Sequence, residues 1–569
     1  MFSKLLVASA LCAQACLASP FLKQRNGTTW IIGNDLWNMT QNEKYGTKLW
    51  YKGRDLVDEA VGHYVSYNGA KNDLAWTSAK IALQTEDYID VQFDAVEGEM
   101  HWVIYNDLPG AYQYFINRAL PRLGEFRTLW RLDNETFPRG RTDIKDGVLP
   151  ALSEYRAATN VQDETWQKAD GTFLTKYDWS AFIRTQDYYG VYGDEFGSWY
   201  INPGKDYYNG DQLKQELMVH RESQTGDAVQ LNMIHGTHFQ ALSSDDFANG
   251  KIWGPWLWYL NDGNQTDVAA RAASECFQWP YSWFQNPTYQ SRVRSVSGTL
   301  LLSDGRPASG AAIHLGDNRS NLSTLDQGSN NYYTTYADAS GSFTIPHVLT
   351  GTYALQAWSN GGPLSNITTT FLQNDIDLTV PSSSDLTLNL TTWPLPESRS
   401  RIFQVGDFDR KSLGFRYGGA PYQHGLVSQC PANLTFTIGV SPTDAWCFGQ
   451  SALGRWDIDF SLSEDEVARN GNRSAILSVS LAGYSQGTSS GIFVNGLDAG
   501  SRVGNLTSGS VPSDQCLYRS ATTAGEWHFF EFPVGAGSLM AGRNTVSFVV
   551  VKTTIWRGFL WDSIVLDWA

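Results

Sequence analysis

Short runs of alternating apolar residues, each closed by turn formers, recur from one end of this sequence to the other, and they constrain its fold more than any other feature. Tyr88-Ile-Asp-Val-Gln-Phe93, Ala228-Val-Gln-Leu-Asn-Met-Ile234, Thr352-Tyr-Ala-Leu-Gln-Ala-Trp358 and Thr545-Val-Ser-Phe-Val-Val-Val551 all read as strands. A period of two sends alternate side chains to opposite faces of a sheet, so such runs build sheets that bury one face or both. The 52 Gly and 20 Pro fall with Ser, Asn and Asp between the runs, where turns need them. One stretch has helical texture: Val268-Ala-Ala-Arg-Ala-Ala-Ser-Glu-Cys276, with Thr266-Asp267 as its expected cap. The predicted fold class is therefore all-β.

At 569 residues the chain exceeds a single hydrophobic core, and changes in texture divide it. Residues 1–18 have a positive start at Lys4, an apolar stretch from Leu5 to Leu17 and a small-residue end at Ala18, the pattern of a signal peptide. Residues 19–290 are aromatic-rich and unbroken, and read as one large β domain. Residues 291–380 carry short, evenly spaced strands, which describe a small β-sandwich. A Ser/Thr/Pro-rich stretch, 381–400, is expected to be a linker. Residues 401–569 fit a jelly-roll sandwich of the carbohydrate-binding type.

Aromatics make up 13% of the chain and charged residues 18%, the opposite balance from a disordered or coiled-coil protein. A formal net charge of −16 argues against nucleic acid, because neutralising phosphates needs a basic field. Beyond the leader no apolar run is long enough to span a bilayer, so the expected protein is secreted, extracellular and monomeric, with no membrane partner. Sequons at Asn26, Asn38, Asn134, Asn264, Asn318, Asn321, Asn366, Asn389, Asn433, Asn472 and Asn505 fit export through a glycosylating pathway. Cys12 and Cys16 leave with the leader. Among Cys276, Cys430, Cys447 and Cys516, the closest pair, Cys430 and Cys447, is the expected disulfide. No cysteine–histidine spacing suggests zinc, while structural calcium is left open.

The candidate chemistry starts from positive charge. In Glu125-Phe-Arg-Thr-Leu-Trp-Arg-Leu132, the strand period puts Arg127 and Arg131 on one face, about 13 Å apart, a spacing suited to anionic groups along an extended polymer. Two candidate proton-transfer groups follow. Lys176 interrupts the aromatic segment Thr175–Trp179, and His238 lies just past a strand, three residues after His235. Histidine titrates near neutrality unaided, but lysine becomes a base only when burial or nearby cations depress its pKa. A rival reading rests on Asp178, Asp187, Asp194 and Glu195, two of which could serve a glycoside hydrolase. Near these acids Tyr188, Tyr189, Tyr192, Trp199 and Tyr200 could stack on sugar rings. A third reading is a secreted carbohydrate-binding protein without catalysis.

Several segments carry a resemblance: Glu125–Leu132, Asp163-Glu-Thr-Trp-Gln167, Asn209-Gly-Asp-Gln-Leu-Lys-Gln-Glu216, Gly236-Thr-His-Phe239 and Ile252-Trp-Gly-Pro-Trp-Leu-Trp-Tyr-Leu260. In order and spacing the chain resembles polysaccharide lyase family 4, the rhamnogalacturonan lyases. The resemblance implies a large catalytic β-sandwich, a fibronectin-type-III-like domain and a carbohydrate-binding-like jelly roll. It implies β-elimination at the rhamnose-α-1,4-galacturonate bond of rhamnogalacturonan I, with no cofactor required for catalysis. It also implies Lys176 and His238 as the catalytic pair and Arg127 and Arg131 as substrate ligands. Should the arginines not neutralise the substrate's charge, Lys214 is the next candidate cation. Tyrosines that precede the histidine in some members are replaced here by Leu231 and Met233.

Overall fold

The computed structural model describes residues 19–69, 72–236, 245–318, 330–379, 384–395, 399–418, 429–470, 473–485, 487–507, 509, 511, 523–553 and 557–569. Strands hold 48% of the chain and helices 9%, so the all-β expectation stands. The first block is a sandwich of two nine-stranded sheets. In one sheet Gly62–Tyr67, Glu125–Leu132, Ala228–Gly236 and the edge strand Val219–Arg221 lie side by side. The other sheet centres on Gly197–Ile201, Ile252–Asn261 and Gly110–Asn117.

Much of the sequence's tryptophan fills the space between these sheets. Trp130 stacks on Trp258 with ring centroids 4.8 Å apart, and Trp102 and Trp37 meet Trp258 edge-on. His63 packs between Trp102 and Trp130, and burial pushes its pKa down to about 3, so it is neutral. Because Phe126, Thr128, Trp130 and Leu132 turn into this core, the intervening residues of the same strand must face the other way.

The helix spans Gln265–Gln278, longer than expected, and its cap is Asn264, whose side chain accepts from the amides of Thr266 and Asp267. Asn fills this role as readily as Asp, and two residues before the expected Thr266 it catches two of the orphan N–H groups.

On the outer face of the second sheet a buried charge network ties three strands together. His101 Nδ1 lies 2.9 Å from Asp90 and Nε2 lies 3.5 Å from Glu99, while its ring stacks 4.2 Å from Tyr114. Hydrogen bonding to His101, reinforced by Arg118, holds Glu99 down at about 2. Burial disfavours a charged His101, but Asp90 and Glu99 outweigh it and raise its pKa above 6.5. The signs are opposite. Glu99 stabilises the fold above its unfolded value of 4.5, and this is lost as pH falls toward 2. His101 stabilises below 6.5, and this is lost as pH rises through its raised folded value. Melting temperature against pH should therefore show a broad maximum between these limits, and His101→Gln should flatten its alkaline side.

The second block packs a three-stranded sheet against a four-stranded one, and the third packs two five-stranded sheets around Trp446, Trp456 and Trp561. The expected linker is corrected in part. Asp385–Thr387 pairs in parallel with Ser295–Thr299, and Trp393 is fully buried in the second core. Leu386, Leu388 and Leu390 alternate beneath the Ser/Thr composition, and that period makes the stretch a strand rather than a tether. Cys430 and Cys447 form the expected disulfide, with Cα atoms 5.9 Å apart. Cys276 is exposed and unpaired, and Cys516 lies outside the described residues. The described sequon asparagines are exposed or half-buried, while Asn321, Asn472 and the leader 1–18 also lie outside the described residues. Among the described residues no helix is long and apolar enough to cross a membrane.

The three blocks meet on the segment between Ile201 and Gln215. Arg292 of the second block pairs with Asp206 at 2.6 Å, and Lys251 donates to the Asn330 carbonyl at 3.0 Å. From the third block, the Ala524 carbonyl accepts from Gln215 Nε2. Arg410 lies between Trp358 and Trp527, 4.6 and 3.9 Å from their ring centroids. Cation–π stacking thus ties the second block to the third.

Candidate active site

The odd-numbered residues of Glu125–Leu132 face away from the tryptophan core. Register extends this face sideways: Leu129 lies opposite Tyr64 on one neighbour and Leu231 on the other, and Arg131 lies opposite Gly62 and Val229. Val229 in turn lies opposite His220 on the edge strand. Gly62 is required where it stands. Its φ is +89° and a Cβ there would sit 2.0 Å from the Gly46 carbonyl, so the backbones cross close beside Arg131. Leu129, Tyr177, Leu217, Val229, Leu231 and Met233 form a small apolar cluster on this face, separate from the main core.

Each arginine is held by acids. Arg127 pairs with Glu125 at 2.7 Å and donates from Nε to Ser66 at 3.0 Å, leaving its side chain 12% exposed. Arg131 donates to Asp227 at 2.7 Å and to Thr225 at 2.8 Å, lies 3.7 Å from Glu222, and is 17% exposed. These partners fix the guanidinium planes in advance of any ligand, which lowers the ordering cost of binding an anion.

Lys176 opens the one-turn helix Lys176–Trp179, capped by Thr175, whose hydroxyl accepts from the Tyr177 amide. The turn packs against the edge strand Val219–Arg221 and presents Lys176 to the arginine face. Burial pushes the Lys176 pKa below 10.5 and Arg127 pushes it the same way, while Glu164, Asp163 and Glu222 push it back. Its amine makes no hydrogen bond or ion pair with a described residue, and sits 5.3 Å over the Tyr177 ring. A half-buried lysine without an acid in contact gives up its proton more readily than a free lysine, which is what a base needs.

His238 lies outside the described residues. The strand leading to it ends at Gly236, which pairs with Glu125, so the chain departs two residues before His238 from beside the Glu125–Arg127 pair. His235 is turned into the core. It bonds Asp245 at 3.2 Å, packs on Phe247 and Trp253, and is pushed by burial down to about 4. His235→Ala should therefore cost about 2 kcal/mol of stability and leave kcat nearly unchanged at permissive temperature, whereas His238→Ala should stop turnover. Melting curves and initial rates on the two variants check this.

Lys214 is placed differently from the expectation. It is 1% exposed, donates to Asn209 at 3.1 Å and lies 3.5 Å from Glu216. Asn209 Oδ1 also accepts from the Gly236 amide at 2.8 Å, so Lys214 braces the end of that strand from inside the fold. The acids of the hydrolase reading are not gathered at one place. Asp187, Asp194 and Glu195 are exposed turn residues of the second sheet, and only Asp178 shares the turn of Lys176. Tyr188, Tyr189, Tyr192, Trp199 and Tyr200 are all buried, as core residues. Sequence reasoning missed Tyr64, Glu125, Glu164, His220, Glu222 and Asp227. Period-two alternation within Glu125–Leu132 would have found Glu125, but the others need the register of neighbouring strands. Among the described residues no group of three or more His, Cys, Asp or Glu is arranged to hold a metal ion.

Comparison with known proteins agrees with this layout. A model described as polysaccharide lyase family 4, domain II, matches residues 303–384, and one described as domain III of the same family matches residues 401–566. A rhamnogalacturonate lyase of Dickeya dadantii (strain 3937) is 29% identical, covering 91% of this chain and 89% of its own. A probable rhamnogalacturonate lyase B of Aspergillus niger is 23% identical, covering 95% and 89%. Two blocks thus match domains of polysaccharide lyase family 4, and similarity to relatives named rhamnogalacturonate lyase runs on through the arginine-bearing sandwich.

Proposed function

We propose that this protein is a secreted, pectin-degrading endolyase that cleaves the rhamnose-α-1,4-galacturonate bond of rhamnogalacturonan I by β-elimination. The observation that carries the reading is the meeting of Lys176, half-buried and without an acid in contact, with a strand face bearing two preset arginines. The relatives named rhamnogalacturonate lyase supply the substrate class.

The chemistry follows from charge. The galacturonate C5 proton is hard to remove because the adjacent carboxylate is already negative, and an arginine on that carboxylate offsets the charge that builds as the proton leaves. Arg127 is assigned this role because its charge acts on Lys176 and helps lower its pKa. Neutral Lys176 takes the C5 proton, the C5–H electron pair becomes the C4=C5 double bond, and the C4–O4 bond breaks. His238 gives a proton to the glycosidic oxygen, which leaves with the rhamnose. The new end is a 4,5-unsaturated galacturonate, and no water or cofactor enters the step. Ultraviolet absorbance of that conjugated uronate should grow when the enzyme meets rhamnogalacturonan. Reducing ends without absorbance would mean hydrolysis, and neither signal would mean a binding protein.

A further inference from the structure

Between the two arginines the face changes character. Arg127 lies opposite Ser66 and Arg131 opposite Gly62, so on the neighbouring strand Tyr64 falls midway between them, opposite Leu129. Tyr64 is half-buried and covers the apolar cluster of Leu129, Leu231 and Met233. Tyr45 meets its ring edge-on at 5.6 Å, and the Tyr45 hydroxyl is itself fixed on Asp73 at 2.7 Å. The charges of both arginines act on the Tyr64 phenol. Along about 13 Å of strand the order is therefore cation, aromatic over aliphatic, cation.

We infer that Tyr64 is a specificity-determining residue that carries the neutral sugar between two uronates held by Arg127 and Arg131. This rests on the substrate reading proposed above and deepens it. Rhamnose is a 6-deoxy sugar, so its methyl group and C–H face can lie on an aromatic ring. A galacturonate in the same place would bring a carboxylate onto the ring and the aliphatic side chains beneath it, where no described cation is opposite it in register, and its desolvation would go uncompensated. The pattern thus selects an alternating acidic–neutral polymer over an all-uronate one, partly by attraction and partly by rejection.

The test uses the full chain carrying Lys176→Ala, so that bound sugar is not cut. Calorimetric titration compares two oligosaccharides of equal length, one alternating galacturonate with rhamnose and one of galacturonate only. The Lys176→Ala protein should prefer the alternating oligomer by about tenfold or more. Adding Tyr64→Ala should bring the two affinities within about twofold by weakening the alternating oligomer alone, and adding Tyr64→Phe should keep most of the preference. Tyr64→Leu, which keeps a side chain over Leu129, replaces the alanine variant if that fails to fold. A preference intact in Tyr64→Ala, or equal loss for both oligomers, overturns the inference alone. No preference in the Lys176→Ala parent overturns the substrate reading and the inference with it.

Discussion

Replacing Lys176 by alanine should lower kcat by about a thousandfold or more while the folded protein still binds rhamnogalacturonan, because the arginines and Tyr64 stay in place. General-base removal commonly costs between about a hundred- and ten-thousandfold, and no other described lysine is placed to substitute. Lys214 is bonded to Asn209 beside Glu216, and Lys145 lies over the Trp179 ring. The pH profile gives a second signature. Only the neutral amine accepts the C5 proton, so kcat/KM must fall as pH drops through the Lys176 pKa. Burial and then Arg127 lower that pKa from 10.5, so this limb should lie below the ordinary lysine range. Lys176→Arg, which cannot deprotonate, should be as inactive as alanine. Wild-type kcat in either variant would remove Lys176 from the mechanism.

The largest effect on stability is expected at Arg184, a half-buried guanidinium that bonds backbone carbonyls across the segment shared by the three blocks. Its Nε donates to the Asp211 carbonyl at 3.1 Å, Nη1 to Lys205 at 3.0 Å and to Tyr332 at 3.4 Å, and Nη2 to Tyr208 at 2.7 Å and Gly210 at 2.6 Å. Burial pulls its pKa down to about 10, the sign of a desolvated charge held by its partners. Arg184→Ala strands several buried acceptors at once and should cost at least about 3 kcal/mol. Arg184→Lys should recover little, since one ammonium cannot reproduce the planar fork. Because the same segment carries Asn209 and Lys214, which brace Gly236, activity should fall together with melting temperature. Urea unfolding of both variants measures the cost, and a loss below about 1 kcal/mol in Arg184→Ala would contradict the account.

How much of this could be read from the residues depended on how local each determinant is. Strand alternation is local, so the common face of Arg127 and Arg131 followed from eight residues. The acids that hold them are not local in this sense. Asp227 and Glu222 reach Arg131 from the turn between Val219–Arg221 and Ala228–Gly236, and nothing in Glu125–Leu132 signals their approach. Tyr64 is hidden for the same reason, since only register brings it between the arginines. Composition misled at residues 381–400, where Ser and Thr covered a period-two leucine pattern ending in the buried Trp393. It misled again at Lys214, because a lysine in a polar loop gives no hint that Asn209 will draw it inside. The aromatics from Tyr188 to Tyr200 satisfy stacking and core packing equally well as a pattern, and burial assigns them to the core.

The central claim is that this site eliminates and does not hydrolyse, and product masses test it most directly. A defined rhamnogalacturonan oligosaccharide, cut once by the full-length enzyme, should give two fragments whose masses sum to that of the substrate. The fragment with the new non-reducing end should lack one water relative to a saturated galacturonate. Fragments whose masses sum to the substrate plus one water would contradict the account, because a carboxylate-driven hydrolase would then be at work where Lys176 and Arg127 are assigned.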